Sequence, residues 1–171
     1  IYYKTDSHWN DLGMILAAEP ITRQLQAWFP KVQVSSRADF DVTHSQISGG
    51  DLARMLGSRD LRTDEQVNLI PRTPRRAVFS DGTERTGLDV RYQEFLISQR
   101  EGAPIGRAVI YRDSFLNTMI AILAESMERG VFVWGAEVDY KLLEREHPDV
   151  VILQMIERRL YRPAPKAFPP E

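Results

Sequence analysis

Asp6 and His8 stand two positions apart in Tyr3-Lys-Thr-Asp-Ser-His-Trp9, just ahead of a segment with helical spacing. In extended or turn backbone that spacing brings both side chains to one side. The carboxylate can then accept from one imidazole nitrogen while the other faces a substrate, which is the base-plus-orienter half of a catalytic triad. The same residues also serve a plainer purpose: Asp6 as a helix cap and His8 as a satisfied surface histidine. A metal site reads poorly, because neither His44 nor His147 makes a recognisable ligand spacing with His8, and no metal or other cofactor is expected.

The second block is Tyr111-Arg-Asp-Ser-Phe115, at the junction of an expected strand and helix. Open α/β sheets bind ligands beyond the carboxyl ends of their strands, so Ser114 falls at the functional edge of such a sheet. Its N–H would open the first turn of the helix, where unpaired amides favour a developing oxyanion. Asp and Ser are also the preferred helix caps, so the block has a purely structural reading as well. The Gly-x-Ser-x-Gly elbow of ordinary α/β-hydrolases is missing.

The elements that must position these residues follow from periodicity. Residues 1–5 read as the end of a strand. Asn10 or Asp11 caps a helix to about Phe29, with Leu12, Ile15, Leu16, Leu25, Trp28 and Phe29 on its buried stripe and Pro20 breaking or kinking it. Lys31 to Ser35 alternates like a brief strand, and Asp51 to Gly57 has the spacing of a short helix closed by Gly. From Val67 to Arg100 strands and turns dominate, with Ser80-Asp-Gly-Thr83 as a hairpin signal between Val78-Phe79 and Val90 to Ile97. The last third reads strand 107–111, helix 115–129 ending at Gly130, strand 131–134, helix 138–146 and strand 150–155. Strands alternating with crossover helices predict a three-layer α/β domain around a parallel sheet over residues 1–161. The Pro-rich stretch 162–171 reads as a tail.

Composition narrows the chemistry. With 43% hydrophobic and 27% charged residues the chain has the make-up of a globular domain that buries a core. A net charge of −2 gives no electrostatic reason to expect nucleic acid as partner. The absence of Cys excludes disulfides, thiolate metal sites and Cys nucleophiles. No apolar run reaches the ~20 residues of a membrane helix. The start at Ile1, without Met, suggests that a segment precedes it.

Taken together, the blocks resemble a known family. Asp-Ser-Leu-like motifs with Ser directly after a strand resemble the SGNH hydrolases. Tyr3-Lys-Thr-Asp-Ser-His-Trp-Asn10 upstream of Arg112-Asp-Ser-Phe115 looks like the AlgX/AlgJ group of alginate O-acetyltransferases, whose motif order is a circular permutation of the usual one. The likeness extends to Gly50-Asp-Leu-Ala-Arg-Met-Leu-Gly57, Pro148 to Ile152 and Ile156 to Leu160. It implies a three-layer α/β/α SGNH hydrolase-like domain, with Ser114 as nucleophile, His8 as general base and Asp6 as its orienter. It further implies a periplasmic or other extracytoplasmic setting, a polysaccharide acceptor and an acetyl donor supplied by a membrane acyltransferase system. An acetylesterase, or a catalytically silent polysaccharide-binding module, are the alternatives. Two departures stand out: Arg112 replaces the Gly of a standard block, and Gln154-Met-Ile-Glu157 stands where Gly-x-Asn-Asp would follow the third strand. Arg112 and Gln154 are therefore the candidates for oxyanion or substrate binding. Trp9 reads as core packing beside His8, with sugar stacking as the alternative, and Glu157 and Arg158 read as structural.

Overall fold

The computed structural model describes residues 1–81 and 95–160. The chain divides into two compact units, Ile1–Arg75 and Arg76–Glu171. The tail 162–171, and most of the turn and strand expected over 80–97, lie outside the described residues.

The first unit is built on one helix and one hairpin. Helix α1 (Asp11–Trp28) starts where Asn10 accepts from the amides of Leu12 and Gly13 at 3.1 and 3.2 Å, meeting two of the orphan donors of a helix start. It buries Met14, Ile15, Ala18, Thr22 and Leu25, while Leu16 and Trp28, expected on that stripe, face solvent. Pro20 does not break it. The ring supplies no amide for the carbonyl one turn back, and in the same turn the Thr22 hydroxyl donates to Ala18 O at 2.9 Å. Lys31–Ser35 is not a strand: Gln26 Nε2 donates to Val32 O, and Ser35 N–H donates to Thr22 Oγ1, so its backbone is held by side chains of α1. Strands β1 (Phe40–Ser48) and β2 (Thr63–Pro71) pair antiparallel from Phe40↔Pro71 to Ser48↔Thr63, with the short helix α2 (Asp51–Met55) in their connection. Gly57 follows α2 at φ +64°, the left-handed conformation that Gly adopts without a steric penalty.

The second unit is a five-stranded sheet of β3 (Val78–Asp81), β4 (Phe95–Gln99), β5 (Ile105–Arg112), β6 (Met127–Trp134) and β7 (Val150–Leu153), in spatial order β3-β4-β6-β5-β7. It is mixed rather than wholly parallel: β6-β5-β7 run parallel, and β3 and β4 join antiparallel at one edge. Residues 108–112 of β5 are all buried, as expected of a central strand covered on both faces. Val109, Tyr111, Val131 and Val133 form one face and pack with Leu142 of helix α4 (Tyr140–Glu146); alternation turns Ala108, Ile110 and Phe132 to the other.

The expected helix 115–129 is not continuous. Ser114–Leu116 is a single 3₁₀ turn, α3 is only Ile120–Leu123, and a further 3₁₀ turn leads into β6 at Met127. Gly130 lies within β6 and not at a helix end: a Cβ there would come within 2.7 Å of Ser98 Oγ on the neighbouring strand. Beneath α4, Arg129 grips buried Glu146 with two bonds of 2.7 and 3.0 Å, and Arg129 in turn holds the Glu146 carboxyl below its usual range.

Candidate active site

The Asp6–His8 segment is a tight loop closed on itself. Tyr2 and Trp9 bridge antiparallel, and Tyr3 N–H donates to His8 O at 3.3 Å. Its outer part is tied to β2 and α2. Thr5 donates from N–H and hydroxyl to Asp64 Oδ2 at 2.7 and 2.8 Å, and its own carbonyl accepts from the amides of Leu52 and Ala53 in the first turn of α2. Burial would raise the Asp64 carboxyl, but the bonds from Thr5, Glu65 and Lys4 together hold it below its ordinary value.

Within this frame His8 Nδ1 lies 2.6 Å from Asp6 Oδ1, with the two side chains 31% and 22% exposed, so the pair is open to a substrate. Asp6 Oδ1 also accepts from the His8 amide at 2.9 Å, and Oδ2 accepts from the Asp51 amide at 2.9 Å. Partial burial pushes the Asp6 carboxyl up; these donors outweigh it and hold the group below its ordinary value. An ionised carboxylate only accepts, so the proton of a neutral His8 sits on Nδ1 and the basic lone pair on Nε2. That is the arrangement a general base needs.

Sequence reasoning did not find Asp51. It accepts from Ser7 N–H at 2.7 Å and from the Ser7 hydroxyl, and its Oδ2 lies 3.8 Å from His8 Nδ1. The signal was Gly49-Gly-Asp51 at the start of a helix: a Cβ on Gly50 would stand 2.3 Å from Asp6 Oδ2 and 2.4 Å from Asp6 Cβ, so only Gly lets α2 approach the loop. Asp6, His8 and Asp51 each offer a ligand atom within 4.8 Å of the others. Their carboxylate oxygens already accept amide or hydroxyl hydrogens, so a cation here would compete with the bonds that build the loop. His44 instead meets Glu65 on the surface at 3.1 Å, and His147 caps the end of α4 at φ 45°.

Ser114 lies in the second unit, immediately beyond the end of β5, on a 3₁₀ turn capped by Asp113. Such a short turn does not supply the helix-dipole assistance expected of a long helix. What holds the turn is Asp113, 4% exposed, whose Oδ1 accepts from Phe115 N–H at 2.9 Å and from Gln154 Nε2 at 3.0 Å. Its Oδ2 accepts from Ile156 N–H at 2.7 Å, and its own N–H donates to Gln154 Oε1 at 3.0 Å. Gln154, expected to serve an oxyanion, spends both ends of its amide on Asp113. Arg112 is buried, donates from Nη1 to Asn117 Oδ1, and places its guanidinium 5.1 Å from the centre of the Trp134 ring. Glu157 and Arg158 are exposed.

No family model and no curated protein matches the chain. Solved structures do. PatB1 of Bacillus cereus is similar over 88% of this chain and 60% of its own, with a TM-score of 0.62 at 18% identity. The same protein with a sulfonyl adduct gives 0.62 at 17% identity, over 88% of this chain and 57% of that one. A DHHW family protein from Eubacterium siraeum gives 0.65 at 16% identity, over 89% and 57%. The chain thus spans a little under two thirds of the length of these structures and shares their mixed α/β fold.

Proposed function

We propose that this chain is the catalytic part of a serine-dependent O-acetyltransferase acting on a polysaccharide, with Ser114 as nucleophile, His8 as general base and Asp6 as the residue that orients the base. The observation that carries the reading is the 2.6 Å contact between His8 Nδ1 and Asp6 Oδ1, which leaves the basic lone pair on Nε2. In the reaction Ser114 Oγ attacks the carbonyl of an acetyl ester while its proton passes to His8 Nε2. The ester C–O bond breaks, and the leaving oxygen takes the proton. A sugar hydroxyl then gives its proton to His8, attacks the acetyl carbon and releases Ser114, which recovers the proton. With water in place of the sugar the same steps make an esterase. Gln154 acts in this scheme by holding Asp113, and through it the Ser114 turn.

The finer fold that accompanies this activity is a three-layer SGNH-like domain with permuted motif order, in the alginate O-acetyltransferase group or beside it. The shared fold with PatB1 and the DHHW family protein supports it at the level of architecture. A sulfonyl adduct, such as PatB1 carries, is a product of nucleophile chemistry, and nucleophile chemistry is what an acetyl-Ser114 intermediate asks of this fold. The acceptor is an extracytoplasmic polysaccharide, and the donor a membrane acyltransferase system. Among the described residues no helix is long and apolar enough to cross a membrane.

The test is an acid quench of the protein mixed with 4-nitrophenyl acetate, followed by peptide mass spectrometry. An acetyl group on Ser114, absent in Ser114→Ala and accumulating far more slowly in His8→Ala, is the expected result. Labelling elsewhere, or at an equal rate without His8, overturns the assignment.

A further inference from the structure

The connection between β1 and β2 carries the most exposed large apolar side chains of the described residues. Met55, Leu56 and Leu61 are 81%, 82% and 85% exposed, and Leu52 beside them is exposed as well. Single exposed hydrophobics are ordinary on a protein surface; three so fully exposed within one short connection are not. They do not sit on a slack loop. Helix α2 buries only Ala53, Gly57 turns the chain at φ +64°, and a 3₁₀ turn follows at Arg59–Leu61. Ser58 N–H donates to Ala53 O at 2.9 Å, and Gly49 N–H donates to the carbonyls of Arg59 and Arg62 at 3.1 and 2.8 Å. A hydrogen-bonded frame thus holds these apolar side chains in water.

The charges interleaved with them have one sign in excess. Arg54, Arg59 and Arg62 are exposed, and no described carboxylate pairs with any of them. Asp60 is the one exposed acid from Asp51 to Arg62, since the Asp51 carboxylate is turned to Ser7. A chain whose net charge is −2 therefore carries a locally basic face. Apolar tips among arginines match a bilayer interface: the tips enter the acyl boundary, while the guanidinium groups stay at the level of the lipid phosphates and bond them. The apolar residues are Met and Leu with no aromatic ring among them, whereas the apolar anchors that fill a pocket on a protein partner are typically Trp or Tyr. Flexible aliphatic chains suit a fluid partner.

We propose that the end of α2 and the 3₁₀ turn after it form a docking surface for an anionic lipid bilayer, in which Met55, Leu56 and Leu61 enter the acyl boundary and Arg54, Arg59 and Arg62 meet lipid phosphates. The surface goes beyond the acyl-transfer reading and does not depend on it. It bears on the candidate site all the same. The first residue of α2 seats its amide on Asp6 Oδ2 at 2.9 Å, and Met55 ends the helix about 6 Å further along, at 1.5 Å per residue. Arg54 and Arg59 line one cleft of about 240 Å³ with Asp6 and His8. Docking sets that cleft close to the lipid headgroups.

The test is flotation of the whole chain with vesicles through a density gradient. Vesicles of equal parts phosphatidylglycerol and phosphatidylcholine should carry the protein upward, and pure phosphatidylcholine vesicles should bind it at least about tenfold more weakly. The preference should fade as added salt screens the arginine charges. Leu56→Ser and Leu61→Ser, checked for folding by their melting transitions, should each weaken binding by about tenfold, the transfer of one aliphatic side chain. Arg59→Ala combined with Arg62→Ala should remove the phosphatidylglycerol preference. Because the chain lacks Cys, Leu56→Cys offers a single site for an environment-sensitive fluorescent label, whose emission should shift to the blue on vesicles. The same label on Gln24→Cys, at an exposed position of α1, should not respond. No flotation, flotation unchanged by both Ser variants, equal binding to the two kinds of vesicle, or a label at position 56 that stays in water overturns the proposal. Burial of the tip by a soluble protein, with no vesicle binding, overturns it as well.

Discussion

Gln154→Leu tests how the Ser114 turn is held. The substitution keeps side-chain bulk and removes two hydrogen bonds, from Asp113 N–H to Oε1 and from Nε2 to Asp113 Oδ1, each 3.0 Å long. Asp113 Oδ1 keeps the Phe115 amide at 2.9 Å, so it loses one donor of two. The Asp113 amide, on a residue only 4% exposed, loses its acceptor outright. Leaving a buried donor unmatched costs about 1–3 kcal/mol, and the lost bond from Nε2 about 1 kcal/mol more after exchange with water. The added apolar burial of Leu recovers up to about 1 kcal/mol. The expected net loss is about 2 kcal/mol, a fall in the melting temperature of about 4–8 °C for a chain of this length. Gln154→Glu separates the two bonds. It retains an acceptor for the Asp113 amide but sets a second carboxylate beside the first, a like-charge repulsion that acidification relieves. Its penalty is therefore present at neutral pH and shrinks as the solution is acidified. Melting curves at several pH values read both effects, and esterase turnover of the Leu variant should fall in kcat more than in KM. A Leu variant within about 0.5 kcal/mol of wild type would show that the Asp113–Gln154 clamp does not hold the turn.

Ser114→Ala should lower acetyl-ester turnover by about three orders of magnitude or more, measured with 4-nitrophenyl acetate; near-wild-type activity would move the chemistry elsewhere. Asp6→Asn should cost up to about 10⁴ in kcat, no more than Ser114→Ala, because it disturbs the tautomer of His8 and leaves the nucleophile in place. Gly50→Ala should lose stability by about 1–3 kcal/mol through overpacking and should lower kcat as well, since the new Cβ meets Asp6 at 2.3 Å; unchanged kcat would detach α2 from the base. Glu146→Gln should cost about 3 kcal/mol at neutral pH by leaving Arg129 without its counter-charge. Glu146 titrates below its ordinary 4.5 when folded, so its contribution is complete above that value and is lost as pH falls through the depressed one. The Gln variant should therefore show a weaker acid dependence of melting than wild type.

What could be read from the sequence tracks how local each signal is. The strands β5 and β6 announce themselves by the apolar runs 108–111 and 131–133, where burial on both faces leaves no polar alternation, and the edge strand β7 by its run of branched residues although Val151 and Leu153 are partly exposed. The helix expected over 115–129 failed for a related reason. Phe115, Met119, Ile122, Leu123 and Met127 do have helical spacing, but Leu116, Ile120, Ala124 and Ser126 between them are buried too. With only Asn117, Thr118 and Glu128 exposed between 115 and 129, the pattern does not tell a helix from a chain of turns entering a strand. The hairpin of β1 and β2 escaped for the opposite reason. Phe40 is buried at its start, but β1 otherwise runs His44, Ser45 and Gln46 through solvent, and its partner lies beyond an intervening helix, so neither alternation nor a tight turn marks it.

The site divides along the same line. Asp6 and His8 are two residues apart, and their pairing needs only a turn, so spacing alone suggested it. Asp51 joins them across 45 positions, because the Asp51 amide seats on Asp6 Oδ2 and its carboxylate takes both donors of Ser7. No local pattern encodes such a contact; the trace it leaves is indirect, a glycine at 50 where a Cβ would collide with the Asp6 carboxylate that meets His8. Gln154 shows the converse. The sequence placed it correctly at the end of a strand beside the Ser114 block, but only coordinates reveal that its amide is matched donor to acceptor and acceptor to donor with Asp113. An amide so matched has little reason to turn toward a developing oxyanion, since doing so would strand a buried N–H at the base of the Ser114 turn. Residue type marks which side chains are capable of a chemistry, and the hydrogen-bond partners each has already taken decide which remain available for it.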